Sequence, residues 1–214
     1  QDKRIIVSIY NPRLLYRVVE LLKSFNVVYQ GVDPDVKLQL TGVVIADREG
    51  LEYIRPFLNL NNVKIVNIDA DNVESAIIKA VIYTKLESSK VHVLTAGIDY
   101  GKSIGVALLA NSEIIYMNKH RSEKEVIQIL KFFFSNIEAA KKIVRIGIPT
   151  AIIHRDFELF IDKLNKELPQ GVVVELVSEY NTSKTITYEE VRSDKDSFAA
   201  LNIAMKSCKI YEQK

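Results

Sequence analysis

An α/β architecture in two units is predicted by three features of the sequence. Short β-branched runs bounded by turn residues alternate with longer segments whose apolar residues recur every three or four positions. A short polar break, Glu87-Ser88-Ser89-Lys90, separates two such series and divides the chain into residues 1–88 and 89–214. The composition is that of an ordinary globular protein, with 48% hydrophobic and 26% charged residues in a chain of 214, long enough to bury a core without disulfide or metal staples. Disordered, collagen-like and coiled-coil classes drop out on those numbers.

The first unit opens with Ile5 to Tyr10, an apolar run suited to a buried strand, after which Asn11-Pro12 offers an N-cap and a first-turn proline. Leu14, Leu15, Val18, Leu21, Leu22 and Phe25 then share one helical face. Strands are predicted at 26–30, 42–46 and 63–68, and helices at 50–58 and 73–86. Near-continuous apolar strands flanked by helices suit a parallel sheet covered on both faces. Asp47 closes a middle strand, with Asp33 and Asp35 in a preceding loop, which faintly suggests a phospho-acceptor site. The first strand, however, ends in Ser8-Ile9-Tyr10 with no acidic pair, and no Gly-x-Gly-x-x-Gly opens the first helix. What remains is a small Rossmann-like α/β domain used for docking, dimerisation or nucleic-acid positioning.

In the second unit, strand Val91 to Asp99, turn Tyr100-Gly101-Lys102-Ser103, strand Ile104 to Leu109, turn Ala110-Asn111-Ser112 and strand Glu113 to Met117 read as an antiparallel meander. A helix from about Ser122 to Ala140 carries Val126, Leu130, Phe133 and Ile137 on one stripe. Strand 143–148, helix 155–168, strand 171–177 and a last helix at 194–208 complete the order βββαβαβα, which is that of the ribonuclease H fold.

The formal net charge is +2, split as 12 basic and 11 acidic residues in 1–90 against 17 and 16 in 91–214, so neither half is marked as a strongly basic coat for nucleic acid. The single Cys208 excludes an internal disulfide and an all-cysteine zinc site, and the expected setting is reducing and cytoplasmic. Gln1-Asp2-Lys3-Arg4 runs straight into a strand, not a signal core, and no apolar run nears the roughly 20 residues of a membrane span.

Three acids stand out as catalytic candidates. Asp99 ends the strand expected at the centre of the sheet, and Gly97, two residues back on the same face, leaves room for another backbone or a metal. The competing explanation is turn chemistry in Asp99-Tyr100-Gly101. Glu179 follows the strand VVVELV, where alternation puts Glu175 on the same side as a rival. Asp196 lies at the start of the last helix, on a side shared with Ala199, Ala200 and Ile203, whose small alanines allow close approach to a sheet. A capping role, with Ser193 as N-cap and Asp196 as its partner, competes there, and Asp194 is an alternative ligand. Together three such acids suit hard divalent ions, Mg²⁺ or Mn²⁺, which prefer carboxylate oxygens and support phosphodiester cleavage.

The stretch GIDYGKSIGVALL resembles the first-strand motif of the RuvC and YqgF group of the ribonuclease H-like superfamily. IVRIGIPT resembles that group's fourth strand in its YqgF form, VVELVSEYNTS its strand-five signature, and KDSFAALNIAM its last helix. The resemblance spans about residues 91–208 and implies Asp99, Glu179 and Asp196 as metal ligands and catalytic residues. Where the strand-five signature often reads Asp-Glu-Arg, this chain has Ser178-Glu179-Tyr180. Lys102 and Ser103 in the first turn, and Asn181, Thr182, Ser183 and Lys184 in the later loop, are the expected contacts to a phosphate backbone. The basic clusters Lys119-His120-Arg121 and Lys141-Lys142-Arg145 could be further contacts or solvated faces, and His92, His120 and His154 lack ligand spacing.

The implied activity is a metal-dependent nuclease of the Holliday-junction-resolvase-like kind, in which metal-bound water attacks phosphorus and the 3′-oxygen leaves. Its partners would be branched DNA or structured RNA, not a membrane, and symmetric junction cleavage would require a homodimer. The alternative is a non-catalytic nucleic-acid or protein interaction module that keeps the fold. An actin-like or kinase-like ATPase is a third reading, but it needs a second phosphate loop and an adenosine site that this half-chain is too short to hold.

Overall fold

In the computed structural model, residues 4–25, 27–32, 40–86, 90–148, 155–178 and 194–206 are described. They fall into two compact units, Gln1–Ser89 and Lys90–Lys214.

The first unit is a parallel four-stranded sheet in the order β2-β1-β3-β4, formed by β1 (Ile5–Ser8), β2 (Tyr29–Gly31), β3 (Leu40–Ala46) and β4 (Leu58–Asn67). Helix α1 (Pro12–Ser24) starts where expected, with the Asn11 side chain accepting from the backbone N–H groups of Arg13 and Leu14. Its stripe of Leu14, Val18 and Leu22 is buried. Helix α2 (Arg48–Ile54) is displaced from the expected 50–58. It stops in a 3-10 turn at Arg55–Phe57, because Pro56 can open such a turn but cannot continue the α-helical ladder, and Leu58 already belongs to β4. Helix α3 (Val73–Lys85) packs on β1, β3 and β4 and touches α1.

The second unit holds β5 (Val91–Asp99), β6 (Ile104–Ala110), β7 (Glu113–His120), α4 (Glu123–Asn136), β8 (Ala139–Ile148), α5 (Arg155–Glu167), β9 (Val172–Ser178) and α6 (Lys195–Met205). The element order expected from the sequence is therefore the order observed. Its sheet runs β7-β6-β5-β8-β9, with β5 central, β6 and β7 antiparallel, and β8 and β9 parallel to β5.

One boundary differs clearly. The helix expected to reach Ala140 ends at Asn136, and β8 begins at Ala139 instead of 143. Ala and Lys are good helix formers, but Ala139 pairs with Val91 and Lys141 with Val93, so strand pairing overrides local propensity. Likewise β7 runs on to His120, three residues past the expected end.

Alternation divides the residues of this sheet between two faces. One carries Leu94, Ala96, Ile98, Val106, Leu108 and Tyr116, and in this core Phe133, Phe134 and Phe160 of α4 and α5 are fully buried. Each such ring contributes about 1.5–3 kcal/mol over exposure. The other face is covered by α6, which lies against β5 and β6. Ala107 and Leu109 meet Ala200, Leu201 and Ala204 there.

Candidate functional site

The α6 face explains the glycines of the two central strands. A Cβ on Gly97 would collide with the carbonyl oxygen of Ala200, and one on Gly105 with that of Asp196. The room beneath Asp99 is thus filled by helix backbone, the first of the two options open at the level of sequence. Because Gly105 is paired with Asp99 on one side and Lys119 on the other, these three positions form a row across β5, β6 and β7 on the face where α6 begins.

Asp196 is the best-defined member of the site. Its Oδ2 accepts from the Ser103 hydroxyl at 2.5 Å and lies 2.7 Å from the Lys119 ammonium. The bond from Lys119, then that from Ser103, holds the Asp196 carboxyl below the usual carboxylate range. Reciprocally, the bond to Asp196 raises Lys119. Capping belongs to its neighbour: Asp194 accepts from the backbone N–H groups of Asp196 and Ser197 and from the Ser197 hydroxyl. The expected pairing of a Ser193 cap with Asp196 is therefore replaced by an Asp194 cap, and Ser193 lies outside the described residues.

At Asp99 the strand passes directly into the anchored turn that follows. On the opposite side of the sheet, Tyr100 stacks on Phe160 with ring centroids 4.9 Å apart and meets Phe157 edge-on at 5.2 Å. Its hydroxyl donates to Glu123 at 2.8 Å, and Lys163 holds the other oxygen of that carboxylate at 2.8 Å. Burial, reinforced by Glu123, pushes the Tyr100 phenol up to about 12. The residue after Asp99 is thereby pinned to α4 and α5.

Glu175, the rival acid, is committed elsewhere. Arg145 of β8 donates to it at 2.9 Å and to the carbonyl oxygen of Ala204 at 2.6 Å, so a half-buried pair on the sheet holds the last turn of α6. Glu179 and the expected phosphate contacts Asn181, Thr182, Ser183 and Lys184 lie outside the described residues, as do His154 and Cys208. Strand β9, which leads toward Glu179, is two strands from β5, a separation of about 10 Å. Lys102 is exposed in the hairpin turn, whereas Ser103 bonds Asp196. Among the described residues no group of three or more His, Cys, Asp or Glu side chains is placed to hold a metal ion.

Sequence reasoning did not pair Lys119 with Asp196 or Arg145 with Glu175. The Arg145–Glu175 pair depends on the β8–β9 register and the Lys119–Asp196 pair on how α6 seats at Gly105, and their only sequence trace is opposite charge.

In the first unit, loops at the carboxyl ends of β1, β3 and β4 enclose a cleft of about 530 Å³ lined by residues that include Asn11, Asp47, Arg48, Arg55 and Asp69. Asp47 is buried there, and its carboxylate accepts from the backbone N–H groups of Tyr10, Asn11 and Gly50. It joins the β1–α1 loop to the start of α2.

No family model and no curated protein matches the sequence. Among solved structures, a T. thermophilus RuvC in complex with a Holliday junction substrate is 12% identical with a TM-score of 0.40, covering 53% of this chain and 90% of that one. A Bacteroides thetaiotaomicron protein with an actin-like ATPase fold and unknown function is 11% identical with a TM-score of 0.27, covering 75% and 74%. An Aquifex aeolicus member of the Ppx/GppA family is 14% identical with a TM-score of 0.15, covering 64% and 50%. Superpositions this loose assign neither activity nor ligand.

Proposed function

We propose that the second unit is a nucleic-acid-processing domain of ribonuclease H-like order, acting as a nuclease of the Holliday-junction-resolvase-like kind on branched DNA or structured RNA. The observation that carries this reading is the row Asp99–Gly105–Lys119 meeting Asp196 at one end of the central strands. A strand-end aspartate and a helix-borne aspartate, 97 positions apart in sequence, are brought to one face of the sheet. The first unit is read as its docking or positioning domain, the boundary as residues 88/89, and the setting as cytoplasmic with the chain acting as a homodimer.

Mg²⁺ or Mn²⁺ belongs to this reading through Asp99, Asp196 and Glu179. The described residues do not by themselves fit a divalent ion, since Asp196 is already bonded to an ammonium and no third acid is grouped with it.

Purified protein incubated with labelled four-way junctions, single strands and RNA/DNA hybrids, with Mn²⁺ or with chelator, tests the reading. Metal-dependent cleavage abolished in Asp99→Asn is expected. Absence of cleavage, or cleavage unchanged in Asp99→Asn, overturns it.

The ion pair of Asp196 with Lys119 specifically favours the second reading, a non-catalytic interaction module whose former metal ligand has become structural. Junction binding without cleavage, insensitive to Mn²⁺, is its signature. No described helix is long and apolar enough to cross a membrane.

A further inference from the structure

We infer that the outer edge of β9 pairs with the same edge of a second copy of this chain, antiparallel about a twofold axis at Val174, so that two five-stranded sheets join into one. The inference deepens the homodimer of the reading above and rests on that part of it alone.

The outer strand of a sheet presents unpaired N–H and C=O groups, and folded proteins defend such edges with short length, bulges, lysine or other polar residues. The two sheets end in four strands, and three of them are defended. Strand β2 is three residues long. Strand β4 carries Asn59, Asn61, Asn62 and Lys64, and its register with β3 shifts between Leu40 and Gly42. Strand β7 carries Glu113, Asn118 and Lys119, and its register with β6 shifts between Leu108 and Leu109. The fourth, β9, reads Val-Val-Val-Glu-Leu-Val-Ser, with no proline, no lysine and an unbroken register on β8. Among the described residues nothing pairs with its outer side.

Alternation puts Val172, Val174 and Leu176 on the face that carries the α4 and α5 core, and Val173, Glu175 and Val177 on the other. Val173 is 49% exposed and Leu176 47%, so this edge is apolar on both faces. Its one charge is no defence, because Arg145 bonds Glu175 from the neighbouring strand and both side chains are largely buried. The pattern is also self-complementary, which selects a second copy as the occupant. With Val174 facing its own counterpart, Val172 meets the partner's Leu176 and Val173 meets the partner's Glu175. Apolar pairs then line one face, and no two like charges oppose each other. An axis at Glu175 would pair the whole strand but set two carboxylates against each other, so the axis falls one residue earlier.

Light scattering by the full chain from roughly 1 to 100 μM, without metal or nucleic acid, tests this. The wild type is expected to pass from monomer toward dimer across that range. Val173→Lys and Leu176→Lys put an ammonium on one face or the other of the edge and should each weaken dimerisation about tenfold or more, whereas Leu60→Lys, at a more exposed position of β4, should leave it unchanged. Circular dichroism checks that these variants fold, as substitution of half-exposed side chains should allow. In a Cys208→Ser background, Val174→Cys should be joined to its counterpart by a short bis-maleimide, and Val172→Cys, roughly 14 Å from its counterpart across the axis, should not. A monomer at every concentration overturns the inference, whether the edge is then covered within one chain or by a different protein. A dimer unaffected by both β9 substitutions, dissociated by Leu60→Lys, or cross-linked at position 172 in preference to 174 overturns it equally. Mass and cross-linking are read apart from cleavage, so the strand pairing and the nuclease reading fail separately.

Discussion

Asp47 in the first unit and Asp196 in the second hold comparable places, each beside a sheet end and near the N-terminus of a helix, yet their partners differ in kind. Asp47 is buried and bonded to three backbone N–H groups, two from the β1–α1 loop and one from the first turn of α2. Asp196 is bonded to a lysine and a serine side chain. Backbone donors cannot leave without unfolding the segment that carries them, whereas side-chain donors can rotate away. The first acid is therefore architecture, and the second is exchangeable. A carboxylate at a sheet end is a candidate for chemistry when its partners are of the second kind.

The contrast can be broken most forcefully at the seat of α6. Gly97→Ala places a methyl group against the Ala200 carbonyl, forcing the helix off the sheet. A loss of about 3 kcal/mol or more in urea unfolding of the second unit is expected, at the upper end of what overpacking costs. Unchanged stability would show that α6 does not sit where described.

Next in size is Asp47→Ala, which strands the N–H groups of Tyr10, Asn11 and Gly50. Leaving one buried donor, at Gly50, and two part-buried ones unsatisfied should cost about 2 kcal/mol. Asp196→Asn should cost less than about 1 kcal/mol, since a partly exposed ion pair is worth little and an amide oxygen still accepts from Ser103. If the two substitutions destabilise equally in matched denaturation curves, the division into architectural and exchangeable acids is wrong.

The smallest effect is read in pH. Burial lowers the pKa of His120 from its ordinary 6.5, against an opposing pull from Glu125, while its Nε2 lies 3.0 Å from the Tyr116 hydroxyl. A depressed folded value means that the unfolded chain takes up the proton first, so this stability is present above pH 6.5 and is lost as pH falls through that value and the lower folded one. Asp196, also depressed, keeps its contribution through that window and loses it only as pH falls below the ordinary 3.8. The melting midpoint should fall modestly from pH 8 to pH 5 in the wild type and less in His120→Asn. An identical fall in both would remove His120 as its source.

The sequence and the structure part company in instructive places. Asn11-Pro12 opens α1 as read, because capping is a local matter between a side chain and the next few N–H groups. The βββαβαβα order was likewise legible, since turn residues and apolar periodicity are local signals. Ala139 and Ala140 read as the end of a helix and are the start of strand β8, because their conformation is decided by Val91 nearly fifty positions away. The site was half legible for the same reason. Asp99, Asp196 and the small-residue face of α6 could be picked out by type and spacing, but Lys119 and Arg145 acquire meaning only when register brings β7 to β6 and β9 to β8.

The placement of α6 also has a kinetic side. The helix covers β5 and β6, whose hairpin residue Ser103 precedes Asp196 by 93 positions, and its far end is held by Arg145 across 59. Until those late residues have been synthesised, the Gly97 and Gly105 face has no helix to cover it, and its closure waits on contacts of long sequence separation. Such topology slows folding, because the entropy of a long loop must be lost before the contacts that reward it form. In a growing polypeptide, the meander and α4 can assemble early, while the carboxylate of Asp196 joins the sheet among the last events.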